Sequence, residues 1–234
     1  MIYITTYPLT QRINPMRKLL LTTAAVAAAI GLAGCGSGTL TDKRDGQKYR
    51  TVVINGKRWM AQNLNYKTKG GSWCYNDSVS YCKKYGRLYD WNTAKTVCPN
   101  GYHLPSRVEW DNLAHAIGDV RMQDTTVYLD NKLDYRLDYW YDVGKKFKAK
   151  SGWNNFMGNN GNGTDDFGFL ALPSGFRDPN GEFSNIGENG AWWAITVDGY
   201  SGNVGIVKGS DNMFALYYMS DGLILSVRCV ADRP

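Results

Sequence analysis

Cys98 and Cys229 constrain this chain more than any other two residues in it. Bonded to each other, they would hold most of the folded region inside one staple and bring its two extremities together. The residues around each cysteine suit such a junction. Cys98 opens the stretch CPNGYHLPSRVE, in which a Pro-Asn-Gly turn and a Leu-Pro pair lead to a helix start. Ser106 is placed to cap that helix and Glu109, three residues on, to reach back. Trp110, Leu113, Ala114 and Ile117 follow at helical spacing and give one apolar face, and Gly118 offers a stop. Near the other end Leu225, Val227 and Cys229 alternate with Ser226, Arg228 and Val230 as a half-buried strand would.

The cysteine count depends on the leader. Met16, Arg17 and Lys18 form a basic opening to an apolar run from Leu19 to Leu32, too short and too rich in Ala and Gly to favour a membrane span. It reads as a secretory signal whose cleavage leaves Cys35 first, and Leu32-Ala33-Gly34-Cys35 resembles a bacterial lipoprotein signal in which the Cys35 thiol is lipidated. Residues 1–15 play no part in that signal, so Met16 is an alternative start. The expected organisation is a signal peptide over 1–34, a lipidated tether over 35–45 and a single domain over 46–234. Such a protein would be held at the cell envelope, at the outer membrane or cell surface, with the membrane as its partner through the lipid.

Setting Cys35 aside leaves Cys74, Cys82, Cys98 and Cys229, an even set with three pairings. The economical one joins Cys74 to Cys82 and Cys98 to Cys229. Zinc is the rival, but thiolates this widely spread lack the close Cys-x-x-Cys pairs of a zinc knuckle, and export favours disulfides. Three of the 27 basic residues (Arg12, Arg17, Lys18) lie in the leader, where no acidic residue does, so the domain's 21 acidic residues nearly balance the rest. That modest positive balance gives no basis for nucleic-acid binding.

Along the domain, Tyr49–Ile54 and Lys57–Met60 flank Asn55-Gly56, the strongest hairpin signal in the chain. Gly70-Gly71 and the Cys74–Cys82 segment read as surface loop. Tyr89 to Val97 can form a short helix ending before Pro99. Residues 119–150 read as a strand or irregular excursion, and 151–163, rich in Gly and Asn, as loop. Phe167, Phe169 and Ala171 suggest a buried turn. Trp192–Val197, Val204–Val207 and Phe214–Tyr218 are strand candidates.

Several of these stretches together resemble a known family. Asp45-Gly46 with Trp59-Met60-Ala61-Gln62-Asn63-Leu64-Asn65-Tyr66 is similar to the opening signature of the Fibrobacter succinogenes major paralogous domain family. Tyr85-Gly86-Arg87-Leu88-Tyr89-Asp90-Trp91 through Cys98-Pro99-Asn100-Gly101-Tyr102-His103-Leu104-Pro105-Ser106 resembles its middle signature. Gly152-Trp153-Asn154-Asn155, Asp166-Phe167-Gly168-Phe169, Leu172-Pro173 and Ser226-Val227-Arg228-Cys229-Val230 resemble later ones, so the likeness spans roughly residues 45–232. What it implies is an α+β, C-type-lectin-like fold of the formylglycine-generating-enzyme branch, with two helices, short antiparallel strands and long loops.

Catalysis finds little support in the residues. A formylglycine-type oxidase needs a reactive cysteine pair, and pairing Cys229 with Cys98 leaves no free thiol. Glu182 with Glu188, or Asp165 with Asp166, could form a hydrolytic pair, but nothing in the sequence sets either across a cleft. Of the two histidines, His103 lies in a turn and His115 on the helix, so no catalytic residue, cofactor or transition-metal site is assigned. A structural calcium remains open, with Asn154, Asn155, Asn159, Asn162, Asp165 and Asp166 as oxygen ligands; the spacing is not that of an EF-hand, and a solvated loop is the plainer reading.

The expected function is binding. Tyr200, Asn203, Asp211, Asn212, Tyr217, Tyr218 and Asp221, with Trp192 as a surface aromatic and Trp193 in the core, supply rigid rings and adaptable polar groups for a protein or glycan ligand. The composition of residues 194–222 also resembles that of a segment diversified by a retroelement. A purely structural envelope protein without a specific ligand is the main rival.

Overall fold

The computed structural model describes residues 36–118, 121–124, 128–129, 132–133, 137–195, 202–218 and 222–233. The leader, Cys35, Tyr200 and Asp221 lie outside these residues, and so do the expectations placed on them.

The Asn-Gly signal makes its hairpin. Lys48–Ile54 pairs antiparallel with Lys57–Met60, Ile54 facing Lys57, and both turn residues are left-handed, Asn55 at φ 49° and Gly56 at φ 72°. That is the turn whose twist matches the strands it joins. On one side of the hairpin Gly38–Thr41 adds a strand, so the expected tether is part of the domain from residue 38 on. On the other side lies Val230–Ala231, which pairs with Trp59 and in turn with Tyr102–His103. These five strands form one sheet, and its fourth place, between Lys57–Met60 and Tyr102–His103, is taken by Val230–Ala231.

The second sheet has ten strands. Its spine is Asn189–Ile195, Gly202–Lys208, Phe214–Tyr218, Leu137–Trp140 and Arg121–Asp124, extended on the other side by Leu225–Ser226, Leu88–Tyr89 and Ser72–Trp73. Ser174–Arg177 and Phe183–Ile186 attach alongside. Aromatic side chains cover both faces of this sheet. Trp192, Ala194, Val207, Phe214 and Leu216 join Trp59, Trp110, Trp140, Phe147 and Phe169 in one cluster, while Ala191 and Trp193 join Tyr89, Trp91, Leu225 and Cys229 in another.

Four α-helices are present among the described residues: α1 (Val79–Tyr85), α2 (Trp91–Ala94), α3 (Arg107–Ile117) and α4 (Val143–Phe147). The fold is therefore α+β, but the C-type-lectin-like arrangement with two helices, short strands and a long loop-rich half is not what forms. Two segments expected as loop or irregular chain are α1 and α4, and much of the remainder is strand in a ten-stranded sheet. None of these helices is long and apolar enough to cross a membrane, among the described residues. The terminal strand differs as well. Leu225–Ser226 belongs to the second sheet and Val230–Ala231 to the first, and the chain passes between them through three buried residues, Val227, Arg228 and Cys229.

Both disulfides tie these elements: Cys98 to Cys229 beside the terminal strand, and Cys74 to Cys82 across the start of α1. Helix α3 is capped as its sequence suggests. Ser106 Oγ accepts from the Glu109 amide at 3.1 Å, and the Glu109 carboxylate accepts from the Ser106 amide at 2.9 Å. The same carboxylate meets His103, whose other ring nitrogen meets Asp232 at 2.7 Å, so the cap also ties the helix to the C-terminal strand. Burial alone would raise the Glu109 carboxyl, but hydrogen bonds from Ser106 and His103 outweigh it and hold the group below its ordinary value. A carboxyl lowered on folding stabilises above its unfolded pKa and loses that contribution as pH falls through the folded one. Glu109→Ala is thus expected to cost about 1 kcal/mol at pH 7, and the difference from the wild type in urea titrations should shrink by pH 3.

Candidate functional site

Asn63 and Arg228 are polar, fully enclosed and joined. The Asn63 amide donates to the Tyr85 carbonyl at 2.8 Å and to Ser226 Oγ at 3.3 Å. Its oxygen accepts from Trp192 Nε1 at 2.8 Å and from Arg228 Nη2 at 2.8 Å. Arg228 also donates to the Phe169 and Leu170 carbonyls, and its guanidinium lies 4.2 Å from the Phe169 ring centre and 5.4 Å from that of Trp192. Ser174 Oγ reaches Ser226 Oγ at 2.9 Å. Burial pushes the guanidinium down to about 9, partly offset by Asp165, which leaves it charged at neutral pH. Asp165 in turn accepts from the Leu170 amide at 2.6 Å and so shapes the loop whose carbonyls face the cation.

The network is closely fitted from behind. A Cβ on Gly86, at φ +79°, would come within 2.7 Å of Asn63 Cβ and 2.9 Å of the Leu64 carbonyl oxygen, so this place in the Tyr85-Gly86 pair admits glycine. Sequence reasoning passed over Asn63 and Arg228 as site residues. The available signal was a polar residue enclosed by apolar ones, clear for Arg228 between Val227 and Cys229-Val230 and weaker for Asn63, which shares Met60 to Leu64 with Gln62.

In front of Asn63 opens a cleft of about 360 Å³. A second, shallower surface is built by the Gly/Asn-rich loop. Trp153 pins its base: the indole nitrogen donates to the Ala171 carbonyl at 3.1 Å, the Trp153 amide donates to Asn162 Oδ1 at 3.0 Å, and the Asn154 amide donates to the Gly187 carbonyl at 2.7 Å. Beyond it Phe156 and Asn159 pair backbone to backbone, closing a tip on which Phe156 is 51% and Met157 88% exposed. Asn154, Asn155 and Phe156 share a small depression with Gly209 and Ser210, so the turn over 209–213 lies beside this loop.

The expected ligand residues fall into several places. Trp192 is fully buried with its nitrogen bonded to Asn63, which corrects its assignment to the surface. Alternation along Asn189–Ile195 does send Trp192 and Trp193 to opposite faces, but both faces are covered, so both rings are core. Asp211 and Asn212 lie in the turn; Asp211 Oδ1 accepts from the Met213 amide, and Asn212 is exposed. Tyr217 is half-buried, and burial first, then Asp211, raises its hydroxyl above the ordinary value. Asn203 and Tyr218 are cross-strand neighbours toward the other end of the same hairpin. Asn203 and Val207 are four steps apart along the strand, roughly 13 Å, so the backbone of this pair stands away from the turn.

Residues 194–222 also contribute to the core. Ala194, Val207, Phe214 and Leu216 are fully buried, so these positions lie on covered strand faces. Of the six oxygen ligands expected for calcium, Asn162 and Asp165 accept bonds within the loop, from the Trp153 and Leu170 amides. Among the described residues no group of three or more His, Cys, Asp or Glu converges on a metal position.

A disulfide-bonded α+β domain with a rigid polar centre and exposed loops is the class of protein these features define. The chain belongs to the Fibrobacter succinogenes major domain family, whose model matches residues 52–231. Asn63, Gly86, Phe169 and Arg228 all fall inside that span. No curated protein matches the chain, and no solved structure does.

Proposed function

We propose that this protein binds a protein or glycan at the cell envelope, held there by a lipid on Cys35, and that the loop over 154–159 with the turn over 209–213 forms its contact face. The observation that carries this reading is the Phe156-Met157 tip. Other large apolar side chains exposed in the described structure, Val79, Val108 and Tyr141, stand singly in sequence, whereas these two are adjacent. Isolated apolar residues on a surface are ordinary, but neighbouring ones on a loop fixed at its base are a prepared contact. Exposed Asn154, Asn155, Ser210 and Asn212 around them supply adaptable hydrogen bonds. The reaction at such a face is association and release, with no bond made or broken.

Glycan arrays and immobilised envelope polymers probed with the full chain test the reading. The double variant Phe156→Ser, Met157→Ser should weaken the strongest interaction found by about tenfold or more, equivalent to about 1.4 kcal/mol, with its thermal midpoint unchanged because both side chains already face solvent. Equal affinity in variant and wild type would remove the loop tip from the contact face.

A further inference from the structure

The cleft in front of Asn63 is chemically unlike the loop face. Four amide-bearing residues line it, Gln47, Gln62, Asn63 and Asn65, together with Lys48, Lys83 and Lys84. No carboxylate lines it; Asp45 is the nearest in the hydrogen-bond network and is engaged with Gln47. None of the three lysines forms an ion pair among the described residues, and all three are exposed. Behind Asn63 the fully buried Arg228 adds a fixed positive charge. The amides differ in freedom. Asn63 has spent its donors and acceptor inward, and Asn65 donates to Gln47 Oε1 at 3.0 Å while Gln47 donates to Asp45 and to the Asn65 carbonyl; Gln62 accepts from the Arg50 amide at 2.7 Å and keeps its own NH2 available. Leu170 and Leu172 form an apolar wall.

We propose that this cleft is a second binding site, for an acidic saccharide. Its volume is of the size that holds a small molecule, about 300–1,000 Å³. The free Gln62 NH2 donates to a sugar hydroxyl, an apolar wall suits the C–H face of a sugar ring, and lysines outside any ion pair beside a buried guanidinium select a carboxylate or sulfate on that ring. A neutral sugar would leave the ammonium groups without an anionic partner, and a simple anion would leave the Gln62 amide and the wall unused. The site stands apart from the loop face and does not depend on it.

Titration calorimetry on the full chain with glucuronic acid, a glucuronate oligomer, glucose, acetate and sulfate tests the assignment. Glucuronic acid or its oligomer should bind roughly tenfold or more tighter than glucose or either simple ion. Tighter binding of the oligomer than of the monomer identifies a polymer as the source, and equal binding identifies the free sugar acid. The triple variant Lys48→Gln, Lys83→Gln, Lys84→Gln, all exposed and so not expected to disturb folding, should lose that preference. The Phe156→Ser, Met157→Ser variant should keep it. No binding of either acidic ligand, equal binding of glucose, equal binding of sulfate or acetate, or unchanged affinity in the lysine variant each overturns the proposal.

Discussion

Replacing both Cys98 and Cys229 by alanine is expected to destabilise the domain by about 2–5 kcal/mol, the usual cost of losing a native disulfide. The two cysteines are 131 residues apart, against 8 for Cys74 and Cys82. In the chain-entropy account those loops are worth about 5 and about 2.5 kcal/mol respectively, so the long closure should matter about twice as much as the short one. Urea midpoints for the two double variants, measured beside the wild type, decide the order. A larger loss on removing Cys74 and Cys82 would mean that the short loop is a folding element and not a local brace. Cys229 is fully buried and packs with Trp193 and Tyr89, so the long-range variant also loses sulfur contacts in the core, which pushes in the same direction.

Arg228→Ala is expected to cost roughly 3–5 kcal/mol, the range for breaking a buried charged network by removing one partner. The carbonyls of Phe169 and Leu170 would lose their donor, and the space between the Phe169 and Trp192 rings would open. Arg228→Lys should recover little, because one ammonium cannot span the Asn63 oxygen and both carbonyls as the planar fork does. Asn63→Leu, alone and combined with Arg228→Ala, completes a cycle in which the double variant should lose less than the sum of the singles. Strict additivity, or a loss under about 1 kcal/mol for Arg228→Ala, would show that Arg228 is not the centre of the network.

Parts of this fold were open to inspection in the sequence because a short-range rule decided them. Asn55-Gly56 admits the left-handed turn that a two-residue hairpin needs, and Ser106 with Glu109 marks the start of α3 before a regular apolar stripe. The cysteine pairing followed from export and economy. Other parts had no such mark. Helix α4 has five residues, begins at a left-handed Asp142 and makes no side-chain cap, and α1 lacks a side-chain cap at Ser78. Both are too short for a periodic pattern to emerge. Trp192 was misplaced because alternation gives opposite faces but does not say whether the second face is wet. The lysine and amide cleft was invisible for a different reason: Lys48, Gln62 and Lys83 come from separate segments, and only the sheet and α1 bring them together.

The place of Val230–Ala231 sets an order of events in the life of the chain. Lys57–Met60 and Tyr102–His103 do not pair with each other; each pairs with this late strand. Synthesis therefore has to run more than 125 residues past Tyr102 before the first sheet has its connecting piece, and Cys98 waits for Cys229, 131 residues on. Closure by so late a strand joins residues distant along the chain, which makes it a slow step in folding.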